Sequence, residues 1–299
     1  MQLSLPELSY TRQSLTAFEP PIRNDGRSID QLRALSGQVN ILPGAHGSAR
    51  VKWGSTIEVL VGIKAEVGDA TIHGGTFQAS VEVSPAVTIQ NRETDILPSS
   101  LTSSLQDVLD TLPVDYLKFT PSRAWVIHVD AIVLLCAVPN ENIISALSLA
   151  TSLALQTTRI PKISTPNVTE MVLGSSKFEP SEEYDVDSEW DSALPLQGLE
   201  NLSVIITASS IDHVLVIDPT VDEANVAQAT YAVGVLPDGT ISYTRTISMG
   251  GGYASTGRAI TGERYISLVK AASVAGTKLL EASKSLLTFE GSGFFDILP

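Results

Sequence analysis

The chain has 299 residues, of which 43% are hydrophobic and 17% charged, and its formal net charge is −14 at pH 7. This balance supports a sizeable core and excludes wholesale disorder. The acidic charge argues against an RNA-binding module that works alone, because phosphate neutralisation supplies most non-specific affinity. With neither a signal-peptide pattern nor a membrane-length apolar run, the sequence predicts a soluble intracellular protein.

The chain begins with a predicted helical arm over residues 1–20, where Leu8, Leu15 and Phe18 recur between polar residues and prolines end the pattern. Strands are predicted over 39–42, 47–53, 57–67 and 77–87 from alternating or β-branched apolar residues. Their close succession favours an antiparallel meander over alternating strand–helix units.

Next come a helix over 101–112, a long two-sided apolar strand over 124–137, and a helix over 142–157 that is apolar nearly all round. Such a helix should lie buried against a sheet. The region 161–200 is a composition break that predicts a linker. Its acidic run is expected to form a solvated loop, and removing it would halve the net charge. The run consists of Glu179, Glu182, Glu183, Asp185, Asp187, Glu189 and Asp191.

After the linker the pattern restarts, with strands over 204–208 and 214–218 and a hairpin joining 227–236 to 240–249. A long helix is predicted over 258–287. Both halves run from strands into a long helix. We therefore expect an α+β fold with two pseudo-duplicated halves of mixed or antiparallel strands. The single domain 21–299 then divides into a first half (21–160), the linker (161–200) and a second half (201–299).

The chain offers little conventional chemistry. Its four histidines are scattered and Cys136 is the only cysteine, so the sequence predicts no metal site and no cofactor. There is no nucleophile-elbow or Walker pattern. Gly250-Gly251-Gly252 is best interpreted as a turn between strand and helix.

Four motifs in order resemble the ribonuclease PH family over residues 20–287. Arg23-Asn24-Asp25-Gly26-Arg27 is similar to the family's opening motif, and Gly47–Arg50 to its second strand. The segments 54–64 and 214–223 resemble the GST-x-VLVGIK and VDPT-x-xE stretches of exosome subunits within that family.

The resemblance implies a ribonuclease PH-like fold and a place in the hexameric ring of an RNA exosome. The implied role is to build the RNA-threading channel and so support 3′-to-5′ RNA processing and degradation, including rRNA processing and mRNA turnover. The implied partners are other ribonuclease PH-like subunits, cap subunits, an associated nuclease and single-stranded RNA. The implied locations are the nucleus, nucleolus and cytoplasm.

The same resemblance implies that the chain is not an enzyme. Active members carry an arginine in a phosphate-binding loop, here occupied by 137–142 with Asn140 near its centre, and an aspartate where this chain has Thr230. Without the anion clamp and the carboxylate, a phosphoryl-transfer site loses its main electrostatic stabilisation. The alternative is an active phosphate-dependent 3′-to-5′ exoribonuclease whose phosphate site lies elsewhere, for instance at the triple glycine.

RNA contact would then depend on a few cations near strand starts or loops. The candidates are Arg50, Lys52, Lys118 and Arg123, although for each of them the pattern favours an ordinary solvated surface charge over an RNA contact. The predicted helix over 101–112 has no arginine, where archaeal relatives of this type carry arginines, and this weakens the expectation of a strong RNA site.

Overall fold

The computed structural model of the protein describes residues 4–71, 74–88, 96–137, 143–164, 184–187, 189–249, 260–288 and 293–298. Its α-helices are α1 (Leu5–Thr16), α2 (Pro85–Thr88), α3 (Ile96–Leu109), α4 (Ile144–Thr157), α5 (Val221–Val226) and α6 (Gly262–Leu287). Its strands are β1 (Leu35–Val39), β2 (Gly47–Trp53), β3 (Ile57–Asp69), β4 (Thr76–Val83), β5 (Arg123–Cys136), β6 (Arg159–Ile160), β7 (Ile163–Ser164), β8 (Asp185–Val186), β9 (Leu194–Pro195), β10 (Val204–Ile211), β11 (Val214–Ile217), β12 (Ala229–Val235), β13 (Ile241–Met249) and β14 (Phe295–Leu298).

The larger sheet has six strands in the order β14-β1-β2-β3-β5-β4. Strand β3 shows why one face of this sheet is the core face. Its odd-numbered residues from Ile57 to Ala65 are buried, while the residues between them are partly or fully exposed. Successive side chains of a strand point to opposite faces, so this alternation sends the apolar set inward.

The antiparallel meander expected for the first half is wrong at one strand. β1, β2, β3 and β5 pair antiparallel, but β4 lies at the sheet edge and pairs parallel with β5. A parallel neighbour needs a crossover connection, and the chain between β4 and β5 contains the helix α3. The α+β class is confirmed, with a mixed first sheet.

The smaller sheet has four strands in the order β11-β10-β12-β13, all antiparallel. Every residue of β10 and β12 is buried, so both faces of the sheet centre are covered. Helix α4 contacts β2 and β3 of the large sheet and β10 of the small one, which places it between the two sheets. This position explains why all residues from Ile144 to Leu155 are buried.

Helix α6 packs on β10 and β12 and also contacts β1 and β14. At Gly276 a Cβ atom would lie 2.7 Å from Cβ of Val235, so only glycine permits this close approach of helix to strand. The C-terminal strand β14 pairs with β1, so the end of the chain returns to the sheet built by its beginning.

Three local differences from the sequence-based expectation have simple causes. The first strand is Leu35–Val39 rather than 39–42, because Asn40 adopts a left-handed φ of 57° that ends it. Helix α5 was not expected, and a capping box between Thr220 and Glu223 starts it. The strand predicted over 77–87 ends at Val83, where α2 follows.

The predicted arm contains α1, which packs against α5. Leu15 is buried in a small apolar cluster with Ile211 and Val216, and Arg12 Nε lies 2.6 Å from Asp212 Oδ2.

The part of the acidic run that the structure describes is exposed but anchored. Two short ladders, β6 with β9 and β7 with β8, hold the linker ends, and Ser192 Oγ donates to Asp187 at 2.6 Å. Trp190 stands beside His46, with ring centroids 6.1 Å apart. Glu179, Glu182 and Glu183 lie outside the described residues. Across the described parts of the chain, none of the helices is both long and apolar enough for a membrane span.

Candidate functional site

Two of the segments that resemble the family, residues 23–27 and residues 214–223, meet in a buried ion-pair network. Arg23 Nε and Nη2 donate to the two carboxylate oxygens of Glu223 at 2.8 and 2.7 Å. The Arg23 guanidinium also donates to the carbonyl oxygens of Ile217 and Asp218 at 3.2 and 3.0 Å. These hydrogen bonds of the guanidinium with the second half therefore fall at the end of β11, directly after it, and in the first turn of α5.

Asp218 is the centre of the same network. Its Oδ2 accepts from Arg27 Nη1 at 3.0 Å and from the backbone N–H of Arg33 at 2.9 Å, and its Oδ1 accepts from Arg33 Nη2 at 2.7 Å. Trp53 Nε1 adds a bond of 3.2 Å to Oδ2. Burial by itself would raise the pKa of this carboxyl, but the Arg33 and Arg27 guanidiniums outweigh burial and lower its pKa below the ordinary value.

This network ties the chain together and leaves Asp218 little capacity for a ligand. Several donors converge on the Asp218 carboxylate, and the Glu223 carboxylate is bound on both oxygens by Arg23. Asp218 holds a left-handed φ of 49°, a conformation that the converging arginines stabilise. Within the described residues, no group of three or more His, Cys, Asp or Glu could hold a metal ion.

Thr230, the position where the resemblance places a catalytic aspartate, lies in the middle of the small sheet. It is 3% exposed and is paired across the ladder with Ser209. The two hydroxyl oxygens are 2.7 Å apart in a hydrogen bond. The site is neutral, buried and internally satisfied. Asn140 and Gly250-Gly251-Gly252 lie outside the described residues.

The structure brings two of the four RNA-contact candidates together. Arg50 and Lys52 are the partly exposed residues of β2, Arg50 at the middle of the strand and Lys52 next to its last residue, beside the turn that begins at Gly54. Lys52 Nζ lies 3.9 Å and Arg50 Cζ 5.2 Å from the ring centroid of Phe294. Arg50 is also paired with Glu58 on β3. Phe294 was not foreseen, because it lies beyond the stretch that resembles the family.

Lys118 and Arg123 form a second, separate pair. They are exposed and lie at the start of β5, where Lys118 bridges to Ala124, and Arg123 Nη1 is 2.9 Å from Asp69 Oδ1. Arg50 on β2 pairs with Leu60 on β3, and Leu60 pairs with Ile132 on β5. Ile132 is nine residues from Arg123 along β5. At about 3.3 Å per residue the pairs are roughly 30 Å apart, so the four cations do not form one patch.

The chain was compared with known protein families and solved structures. Residues 31–161 match the model of the 3′ exoribonuclease family, domain 1. The chain is 70% identical over 299 residues to the exosome complex component rrp42 of Schizosaccharomyces pombe, and the match covers 100% of both chains. It is 30% identical over 236 residues to the exosome complex component Rrp42 of Sulfurisphaera tokodaii, covering 76% of this chain and 78% of that protein.

Two solved structures share the fold at 19% sequence identity. An archaeal exosome core matches with a TM-score of 0.64 and covers 94% of this chain and 100% of that one. An Archaeoglobus fulgidus exosome with RNA bound to the active site matches with a TM-score of 0.65, covering 92% of this chain and 97% of that one. The ribonuclease PH-like fold expected from the motifs is confirmed.

Proposed function

Because the chain belongs to the Rrp42 family of exosome components, a branch of the ribonuclease PH family, we propose that it is a structural, non-catalytic subunit of an RNA exosome ring. In this role it forms part of the channel wall through which single-stranded RNA is threaded, and it supports 3′-to-5′ RNA processing and degradation. Its partners are other ribonuclease PH-like subunits. Cap subunits and an associated nuclease complete the proposed complex.

The hydrogen-bonded pair of Thr230 and Ser209 carries the non-catalytic part of the proposal. Phosphoryl transfer depends on charged groups that stabilise the charge developing in the transition state. Thr230 is uncharged, buried and already bonded to another hydroxyl. A hydroxyl at this position, where the family resemblance places a carboxylate, supports the proposal. Asp218, a buried acid that directly follows β11, is occupied by Arg27 and Arg33.

The proposed RNA contacts rest on Arg50 and Lys52. Both cations stand over the same aromatic ring, which orients them without neutralising Lys52. Because a single strand needs cations along its backbone rather than a deep pocket, two separated pairs can serve a threaded RNA. Lys118 and Arg123 would be the second pair, exposed at the start of β5.

The test is an RNA-shortening assay in phosphate buffer with the chain alone and with the complex that co-purifies with it. We expect the isolated chain to leave a single-stranded RNA intact with or without magnesium. We expect the complex that contains the Thr230→Val variant to shorten RNA as fast as the complex that contains the wild-type chain. Phosphate-dependent, processive shortening by the isolated chain would show that it is the active exoribonuclease of the alternative hypothesis.

We also propose that the chain resides in the nucleus, nucleolus and cytoplasm, as its family role in rRNA processing and mRNA turnover requires. Fluorescence microscopy of the tagged chain expressed from its own promoter tests this proposal. A signal restricted to a membrane-bound organelle outside these three locations would contradict it.

A further inference from the structure

A cavity of about 220 Å³ lies at the C-terminal ends of helices α4 and α6. The turn of the β12–β13 hairpin and the 3₁₀ turn Leu199–Asn201 complete its wall. The cavity is therefore at the end of β12 that is remote from Thr230. Pockets for drug-sized molecules measure about 300–1,000 Å³, so this cavity suits a smaller molecule.

The deeper part of the wall is apolar. Leu202 and Leu280 line the cavity and are only 2% and 6% exposed. Leu199 and Pro237 continue this apolar wall toward the surface. An aliphatic group placed against these side chains would remove further apolar surface from water, which favours binding. The wall therefore selects a ligand with an aliphatic part.

Two buried serine residues also line the cavity. Ser152 and Ser283 are 2% and 3% exposed. Ser152 Oγ accepts a hydrogen bond from Gln156 Nε2 at 3.0 Å, and within the described part of the chain its own proton has no acceptor. Ser283 Oγ donates to the carbonyl of Leu280 at 2.9 Å and keeps its capacity to accept. Buried polar groups normally use their hydrogen-bonding capacity, so these hydroxyls favour a ligand with polar groups.

Two opposite charges stand at the mouth of the cavity. Glu200 and Lys284 both line it, and both residues are exposed. Among the residues that the structure describes, neither forms an ion pair with the other or with a third side chain. A molecule that carries both signs can pair with the two side chains at once, and hydrogen bonds between charged groups are stronger than neutral ones.

The helix ends give the two charges of such a ligand an order. The C-terminal end of a helix carries partial negative charge, which attracts cations. In α6 this end already has Lys284 in its last turn, whereas the last turn of α4 has no basic residue. A cationic group of the ligand is therefore favoured at the α4 end, where Gln156 lines the cavity, and an anionic group is favoured near Lys284.

We propose that this cavity binds a small zwitterion of the α-amino-acid class with an aliphatic side chain. Its ammonium group pairs with Glu200 beside the end of α4. Its carboxylate pairs with Lys284 and accepts from the Ser152 hydroxyl, while its side chain packs on Leu202 and Leu280. The inference goes beyond the proposed function, because this site depends on neither RNA nor a ring neighbour.

The experiment measures binding of three probes to the full-length chain, purified with its natural partners, by saturation-transfer NMR. L-Leucine carries both charges, isocaproate lacks only the ammonium group, and isoamylamine lacks only the carboxylate. We expect leucine to bind about tenfold or more tightly than either of the other two, because each of them loses one charged contact. Equal affinity for all three probes, or no saturation transfer to leucine, would overturn the proposal.

Two variants then locate the site. Glu200→Gln and Lys284→Gln each remove one charge at an exposed position. We expect each variant to weaken leucine binding about tenfold, with Glu200→Gln abolishing the preference over isocaproate and Lys284→Gln the preference over isoamylamine. Glu263→Gln and Lys270→Gln, at exposed residues in the N-terminal half of α6, are the matched controls and should leave binding unchanged. Leucine binding that persists unaltered in both cavity variants would place the ligand elsewhere and refute the proposal.

Discussion

Arg23 and Glu223 are 200 positions apart in the chain, yet Arg23 Nη2 lies 2.7 Å from Glu223 Oε2 in a pair that is almost wholly shielded from water. Together with Asp218, this pair joins the segment before β1 to the turn that leads into α5. The opening motif of the chain therefore has a structural use, which is to anchor the first half onto the second.

We predict that breaking this pair destabilises the fold strongly. Glu223→Gln removes the nearest counter-charge of the buried Arg23 guanidinium and leaves Asp25 at 3.7 Å. Removal of one partner of a buried pair costs about 3–5 kcal/mol. Urea denaturation measures the loss in free energy of unfolding. Asp69→Asn is the matched control, since its bond to Arg123 is exposed and should contribute less than about 1 kcal/mol. Equal losses in the two variants would contradict a special role for the buried pair.

We predict a pH-dependent difference between the wild type and Asp218→Asn. The folded-state pKa of Asp218 is lowered by Arg33 and Arg27 against the opposing effect of burial. The stability gained from its ionisation is therefore fully present above the ordinary carboxyl pKa of about 4 and is lost as pH falls through the lowered folded-state value. Denaturation curves between pH 7 and pH 3 should show the variant less stable at neutral pH and the gap narrowing in acid. A gap that widens in acid would mean that the sign is wrong.

We predict that the Thr230–Ser209 pair contributes to stability and not to catalysis. Thr230→Val leaves the buried Ser209 hydroxyl without its partner and should cost about 1–3 kcal/mol. Adding Ser209→Ala should recover part of that loss, because both polar groups are then gone. A double-mutant cycle by thermal denaturation measures this coupling. Additive losses from the two substitutions would show that the hydroxyls are not coupled.

We predict that Lys52 contributes to RNA binding by the assembled complex. Lys52→Ala should weaken binding of single-stranded RNA and reduce the slope of log K against log salt by about 0.7, as expected for one lost phosphate contact. The control is Lys270→Ala, which removes an exposed lysine of α6 rather than of β2. Phe294→Leu, which removes the ring under Lys52, should weaken binding in the same direction. Fluorescence anisotropy at several salt concentrations would detect these changes, and a slope left unaltered by Lys52→Ala would exclude the contact.

Much of the secondary structure was predictable because it is encoded in local periodicity. The residues of β2 were predicted without error, and β3, β5 and α4 were predicted to within two residues at each end. Their apolar side chains recur with the period of a strand or a helix, and burial then selects the matching face. The predicted α+β class followed from the order of these elements.

Pairings between distant segments depended on the tertiary structure. No local pattern distinguishes the parallel edge strand β4 from an antiparallel one, because side chains alternate identically in both. The sequence could not place Phe294 beneath Lys52, nor could it show that the Arg50–Lys52 pair lies far from the Lys118–Arg123 pair. Both relationships depend on which strands become neighbours. The sequence by itself determined most of the longer elements, the core faces and the family resemblance, but not α5 or the bounds of β1. Only the tertiary structure decided which charges are buried together, because the contacts of Arg23 with Glu223 and of Arg33 with Asp218 join residues that are far apart in the chain.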